Sequence, residues 1–294
     1  MTVQFQGSYP AMITPFRKGG LDEKAYRAHV RRMIQGGSAG LVPCGSTGEA
    51  ATLAPAEYKR LVQIAVEEAD GKVPVIAGIG TNATWKAVEE AAVAAALGAD
   101  ALLVLAPYYN KPTQEGLFLH YREVARSVKL PVVVYNIPGR AAINIAPSTI
   151  VRLAKECGNI QAVKEASGSL DQVSEIVASA PRGFTVLSGD DSLTLPMLAV
   201  GARGVISVVA NVDPSGTAKL VSSFLSGDVK AAARIHLKQF PLIKALFLET
   251  NPIPVKAAAA YLGWCADELR LPLTPMSAEP RAKLHAALKK YGLR

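Results

Sequence analysis

A chain of 294 residues, half of them hydrophobic, has enough length and apolar content to bury the core of one sizeable α/β domain. No uncharged apolar run approaches the roughly 18 residues of a membrane span, because the longest candidate, 91–106, is broken by Gly98 and Asp100. The net charge of +8 comes from dispersed basic residues such as Arg27, Arg31 and Arg32, which argues for a solvated surface and against a nucleic-acid partner, while a mildly positive field suits anionic small molecules.

In chain order, the first seven residues lack the basic-then-apolar pattern of a cleavable signal. Apolar runs follow at 9–16, 40–46, 73–80, 101–107, 131–137, 160–167, 184–189 and 204–210. They do not alternate apolar with polar residues, as expected of parallel strands covered on both faces. Helical stretches lie between them: 22–35 opens with an acidic turn, 55–69 has Pro55 at its start, and 115–127 and 147–156 follow the same logic. Eight strand–helix repeats predict a (β/α)8 TIM barrel over residues 1–225. A doubly wound sheet is the competing architecture, but no G-x-G-x-x-G loop opens the first helix. Past residue 226 the strand pattern stops. Stretches 229–248, 252–262 and 278–291 predict a C-terminal helical region over 226–294, in which the Ala-rich piece 256–260 reads as a packed helix rather than a site.

In such a barrel the chemistry sits at the C-terminal ends of the strands. The sixth run carries Lys164 among small and apolar residues. There desolvation would favour the neutral amine, a nucleophile for carbonyls. Alternatively, Lys164 reaches the strand end and pairs with Glu165. The second run ends Gly45-Ser46-Thr47-Gly48-Glu49, a turn whose backbone N–H groups and hydroxyls suit a carboxylate or phosphate, or which is only a turn. The fourth runs into Tyr108-Tyr109-Asn110-Lys111-Pro112, with interface packing expected for at least one tyrosine. The fifth ends at Tyr135 and Arg140, a phenol able to move protons and a fork able to clamp a carboxylate. Asp190-Asp191 after the seventh suggests a metal or, more simply, a helix cap before 192–200. Three cysteines (Cys44, Cys157, Cys265) and four scattered histidines offer no metal-ligand spacing, and the thiols are expected reduced and buried in a cytoplasmic protein. This inventory suits imine chemistry on a small 2-oxo acid.

The motifs 45–49, 108–112, 135–140 and 163–165 occur here in an order that closely resembles the dihydrodipicolinate synthase branch of the pyruvate-dependent class I aldolase and lyase superfamily. The resemblance runs from about Tyr9 through the Asn251-Pro252-Ile253-Pro254-Val255-Lys256 segment. It implies a lyase joining pyruvate to L-aspartate-4-semialdehyde in lysine biosynthesis, with no metal or organic cofactor. It assigns the Schiff base to Lys164 and a proton relay to Tyr135, Ser46 and Tyr109, the last reaching a neighbouring subunit. Thr47 with Ser46 holds the pyruvate carboxylate, Arg140 receives the second substrate's carboxylate, and backbone around Gly189 and Ile206 lines the pocket. A homotetramer built from two tight dimers is implied. Two departures stand out. Ser46 replaces the usual threonine, which frees χ1, and Ala141-Ala142 replaces the usual Thr-Gly after the arginine. The alternative is an aldolase, dehydratase or deaminase that keeps the imine but takes a 2-oxo sugar acid or a hydroxyproline-pathway intermediate.

Overall fold

Parallel strands buried on both sides need helices over one face and a closed interior on the other, and the chain supplies both. The computed structural model describes residues 3–294. Its strands are β1 (Gly7–Pro10), the hairpin pair β2 (Phe16–Arg17) and β3 (Gly20–Leu21), then β4 (Ile76–Ile79), β5 (Ala101–Leu105), β6 (Val132–Asn136), β7 (Ile160–Glu165), β8 (Thr185–Ser188) and β9 (Gly204–Ser207). The helices are α1 (Glu23–Gln35), α2 (Pro55–Ala69), α3 (Thr84–Ala96), α4 (Gln114–Ser127), α5 (Pro138–Ala141), α6 (Pro147–Glu156), α7 (Leu170–Ser179), α8 (Thr194–Ala199), α9 (Pro214–Leu225), α10 (Val229–Ala245), α11 (Ile253–Tyr261) and α12 (Ala278–Tyr291).

Seven strands pair in parallel in the order β1-β9-β8-β7-β6-β5-β4. The ring closes through the segment 41–42, which bridges Ala11 on one side and Val75 on the other. The architecture is a (β/α)8 barrel whose second member is only a two-residue contact. The expected strand 40–46 is therefore much shorter than its apolar content suggested. Pro43 has no N–H to give a ladder, and Cys44 turns the backbone to φ 56°. Gly78 lets the two backbones approach there, since a Cβ on it would collide with the Cys44 carbonyl oxygen. The expected strand 9–16 is likewise corrected. Its paired part begins at Gly7, ends at Pro10, and Phe16 belongs to the separate hairpin.

Two apolar layers follow from the period-2 alternation of the strands. Leu103, Val133, Tyr135, Ala162, Leu187 and Ile206 face the barrel interior. Leu102, Val104, Val132, Val134 and Val163 pack outward against the helices. Helices α10–α12 form a cluster of their own that also takes in Ile13, Val208, Val209 and Val212. The C-terminal helices thereby rest on residues at or near the ends of β1 and β9. No helix among the described residues is long and apolar enough to cross a membrane.

Candidate active site

Lys164 sits on β7 beside Tyr135 of β6, with which it is in register. Its Nζ lies 4.1 Å from the centre of the Tyr135 ring, and the residue is only 6% exposed. Glu165, the sequence neighbour that might have neutralised it, points to the other face of the sheet, as adjacent strand residues must. There its carboxylate accepts hydrogen bonds from Asn136 Nδ2, Gln172 Nε2 and the Ser167 N–H. Among the described residues Lys164 has no ion-pair partner. The buried amine is left facing a phenol rather than a carboxylate.

The space Lys164 occupies depends on Gly189, just past β8. A Cβ at Gly189 would stand 2.6 Å from the Ala166 Cβ and 3.2 Å from the Lys164 Cε. Ile206, fully buried on β9, faces the same barrel interior as Tyr135.

The Gly45–Glu49 segment forms a tight turn rather than a strand end. Residues Ser46–Gly48 make one 3-10 turn, closed by Gly48 N–H to the Gly45 carbonyl at 3.0 Å. Thr47 is buried, Ser46 half-buried, and Thr14 Oγ1 donates to the Gly48 carbonyl at 2.7 Å. Asn251 Nδ2 donates to Thr47 Oγ1 at 2.9 Å, while the Asn251 carbonyl accepts from Arg140 Nη2 at 2.7 Å. One residue ahead of α11 thus joins the turn to the arginine. Arg140 stands on the one-turn helix α5, exposed at the end of β6.

Tyr109 stands apart. It is 86% exposed and held at φ 74°, and Tyr108 is also exposed. The single chain does not bring Tyr109 to Lys164. The acidic pair divides its work: Asp190 caps the turn by accepting from the Ser192 N–H at 2.8 Å. Asp191, fully buried, accepts from the Val208 and Val209 N–H groups, both at 2.9 Å, and so ties β8 to the end of β9. Burial raises its carboxyl pKa, opposed by those bonds and the Ser207 hydroxyl. The helix expected at 192–200 is a 3-10 turn followed by the six residues of α8. Cys44 and Cys157 are buried, whereas Cys265 is half-buried.

The chain that holds this buried amine beside a phenol matches one known family of proteins over nearly its full length. The family model described as the dihydrodipicolinate synthetase family matches residues 4–291. The chain belongs to this family. The 4-hydroxy-tetrahydrodipicolinate synthase of Pelobacter propionicus is 50% identical over 289 residues, covering 98% of this chain and 99% of that protein. The enzyme of the same name from Methanothrix thermoacetophila is 52% identical over 288 residues, covering 97% of each. The crystal structure of dihydrodipicolinate synthase from Aquifex aeolicus aligns with a TM-score of 0.97 at 49% identity, over 98% of this chain and 99% of that one.

Within this synthetase-family barrel, Asn251, Glu49 and Lys256 make contacts to which the sequence motifs gave no role. Lys256 is indeed in a packed helix, but its Nζ donates to Glu49 Oε1 at 2.7 Å with both side chains buried. Spacing along the chain carries no trace of a pair 207 residues apart. The one available signal was a lysine inside an otherwise apolar helix, which demands a buried carboxylate somewhere.

Proposed function

We propose that the chain condenses pyruvate with L-aspartate-4-semialdehyde to give 4-hydroxy-tetrahydrodipicolinate, on the diaminopimelate route to lysine, through an imine on Lys164. The observation that carries this reading is the unpaired, buried Lys164 amine 4.1 Å from the Tyr135 ring. A lysine held for structure would have been given the Glu165 carboxylate.

The Lys164 amine attacks C2 of pyruvate, and loss of water leaves the imine. The imine draws electrons, so a C3 proton leaves and the resulting enamine carbon attacks the aldehyde. The second substrate's own amine then displaces Lys164 as the ring closes. Tyr135, Ser46 and Tyr109 carry the protons. Ser46 and Thr47 hold the pyruvate carboxylate, supported by the tight turn that presents both hydroxyls. Arg140 receives the carboxylate of the semialdehyde, a bidentate task that lysine cannot perform. Backbone at Gly189 and Ile206 lines the pocket. None of these steps uses a metal or an organic cofactor.

The exposed Tyr109 is read as one subunit's contribution to its neighbour's site in a tight dimer, two dimers forming a homotetramer in the cytoplasm. Its left-handed backbone conformation supports this, since strain at an exposed bulky residue is kept where something uses it. Mixing inactive Tyr109→Phe and Lys164→Ala subunits should regenerate active sites. Mixed dimers without activity would remove the crossed arrangement.

Product analysis tests the main reading. Pyruvate plus L-aspartate-4-semialdehyde should yield the cyclic product, and Arg140→Ala should chiefly weaken use of the semialdehyde. Turnover confined to 2-oxo sugar acids or a hydroxyproline-pathway intermediate in parallel assays would instead establish another member of the imine-forming group.

A further inference from the structure

Glu49 is an unusual residue to find where it is. It joins two 3-10 turns, Ser46–Gly48 and Ala50–Thr52, at φ 56° and ψ 35°, a left-handed conformation that glycine adopts more readily. Its N–H donates back to the Ser46 carbonyl at 3.2 Å, so the orientation of Glu49 sets the pitch of the turn carrying Ser46 and Thr47. Such a conformation persists only where surroundings over-determine it. Here they do so through the side chain. One carboxylate oxygen accepts from Lys256 Nζ at 2.7 Å, the other from the Arg270 N–H at 3.1 Å, and both partners come from the C-terminal helical region.

Lys256 in turn has nowhere else to go. It is fully buried on α11, with its Nζ 4.3 Å from the centre of the Phe16 ring, against which the Arg270 guanidinium also packs at 4.2 Å. Burial lowers its pKa and Glu49 pulls it back up. Arg270 is itself engaged with Glu57. Burying both charges is costly, and a well-packed apolar pair would serve stability as well or better. The pair therefore calls for an explanation beyond holding the helix down.

We propose that Lys256 is a positioning residue for the reaction: through Glu49 it fixes the Ser46–Thr47 turn in the geometry that receives the pyruvate carboxylate. The C-terminal region is then part of the pyruvate site without touching substrate. This rests on the reading of the Ser46–Thr47 turn as the carboxylate site.

Steady-state kinetics on the full-length protein, with each substrate varied in turn, tests it in Lys256→Met, Glu49→Gln and the double variant. Lys256→Met leaves a buried, uncompensated carboxylate, and the turn shifts to rehydrate it. Displacement of a substrate-positioning group by about 1 Å costs up to about a hundredfold, so a pyruvate KM raised about tenfold is expected, with the KM for L-aspartate-4-semialdehyde changed less than about twofold and kcat lowered to the extent that Ser46 leaves its place in the proton relay. The double variant, which removes both charges, should bring the pyruvate KM back to within about threefold of the parent value. Glu49→Gln keeps the acceptor for the Arg270 N–H and carries the same measurement if Lys256→Met fails to fold. A lower melting temperature with an unchanged pyruvate KM would show a merely structural pair. Equal loss of all parameters, unrelieved in the double variant, would also overturn the proposal. Borohydride trapping of pyruvate on the parent protein separates the two levels. No adduct at Lys164 removes the site reading and this inference with it, whereas trapping with unshifted variants removes the inference alone.

Discussion

Two lysines in this barrel are almost equally hidden from water, yet we propose that only one of them reacts. Lys164 lies inside the barrel with a tyrosine ring beside its amine and the neighbouring carboxylate turned to the opposite face. Lys256 lies on the buried face of α11 with a glutamate oxygen 2.7 Å away. What differs is the compensation. At Lys256 the carboxylate restores the charged form and occupies the nitrogen, so the group is a tie. At Lys164 no carboxylate occupies the nitrogen, and in the mechanism we propose it is left open to a carbonyl. Burial of a lysine is therefore poor evidence for catalysis by itself, and the identity of its nearest acceptor decides.

The largest effect that could break this comparison is chemical selectivity. Pyruvate and borohydride should add a reduced pyruvyl group at Lys164 and leave Lys256 unmodified, as peptide mass spectrometry would read. Lys164→Ala should abolish the label and reduce turnover at least about a thousandfold, while the melting temperature changes little. Lys256→Met should do the reverse to stability. It strands a buried carboxylate, a loss of about 3–5 kcal/mol in unfolding free energy. Labelling at Lys256, or a Lys164→Ala protein that is the less stable of the two, would invert the assignment.

The contrast also marks what the amino-acid order reveals. The barrel was legible because two-sided burial leaves continuous apolar runs with helices between them, and the buried lysine proposed to form the imine stood out because it interrupts one such run at a strand end. The turn 45–49 and the segment 135–140 stood out as candidates because glycine, hydroxyls, tyrosine and arginine cluster where the fold puts active sites. Three things were hidden. The short second barrel member was masked because Leu41 and Val42 look like any strand, and only the three-dimensional course of Pro43 and Cys44 cuts it short. The Glu49–Lys256 tie depends on chain closure across the whole fold. The division of labour between Asp190 and Asp191 depends on where β9 ends, which no local pattern encodes.

A smaller effect sharpens the Lys164 side. Gly189 contributes no side chain, and its role is the absence of one. In Gly189→Ala the methyl would meet the Ala166 Cβ at 2.6 Å, a contact that must push strand ends apart, and it would press on the Lys164 Cε at 3.2 Å. Overpacking of this kind costs about 1–3 kcal/mol in stability. The catalytic loss should exceed what that implies if the displaced side chain is the nucleophile proposed above. The rate of pyruvate trapping should fall more than tyrosine- or arginine-directed steps can explain, and a trapping rate equal to the parent's would show that Lys164 has room to spare.

The smallest effect concerns Ala142, on the Lys256 side of the molecule, where Arg140 meets the Asn251 carbonyl. The one-turn helix α5 ends at Ala142 with φ 57°, and its N–H closes the turn on the Pro138 carbonyl at 3.0 Å. An alanine in the left-handed region carries about 1–2 kcal/mol of steric cost, and the resemblance noted for this segment has glycine there. Ala142→Gly relieves that cost but returns about 0.4–1 kcal/mol as extra freedom of the unfolded chain. The net gain should be at most about 1.6 kcal/mol, a rise in melting temperature of at most about 3 °C for a chain of this size. Pyruvate trapping at Lys164 should be untouched, since the turn serves the arginine and not the amine. Any change should be confined to the KM for L-aspartate-4-semialdehyde. A drop in melting temperature would mean that the alanine methyl packs favourably enough to outweigh its backbone strain, and a slowed trapping rate would mean that the arginine turn and the lysine are coupled after all.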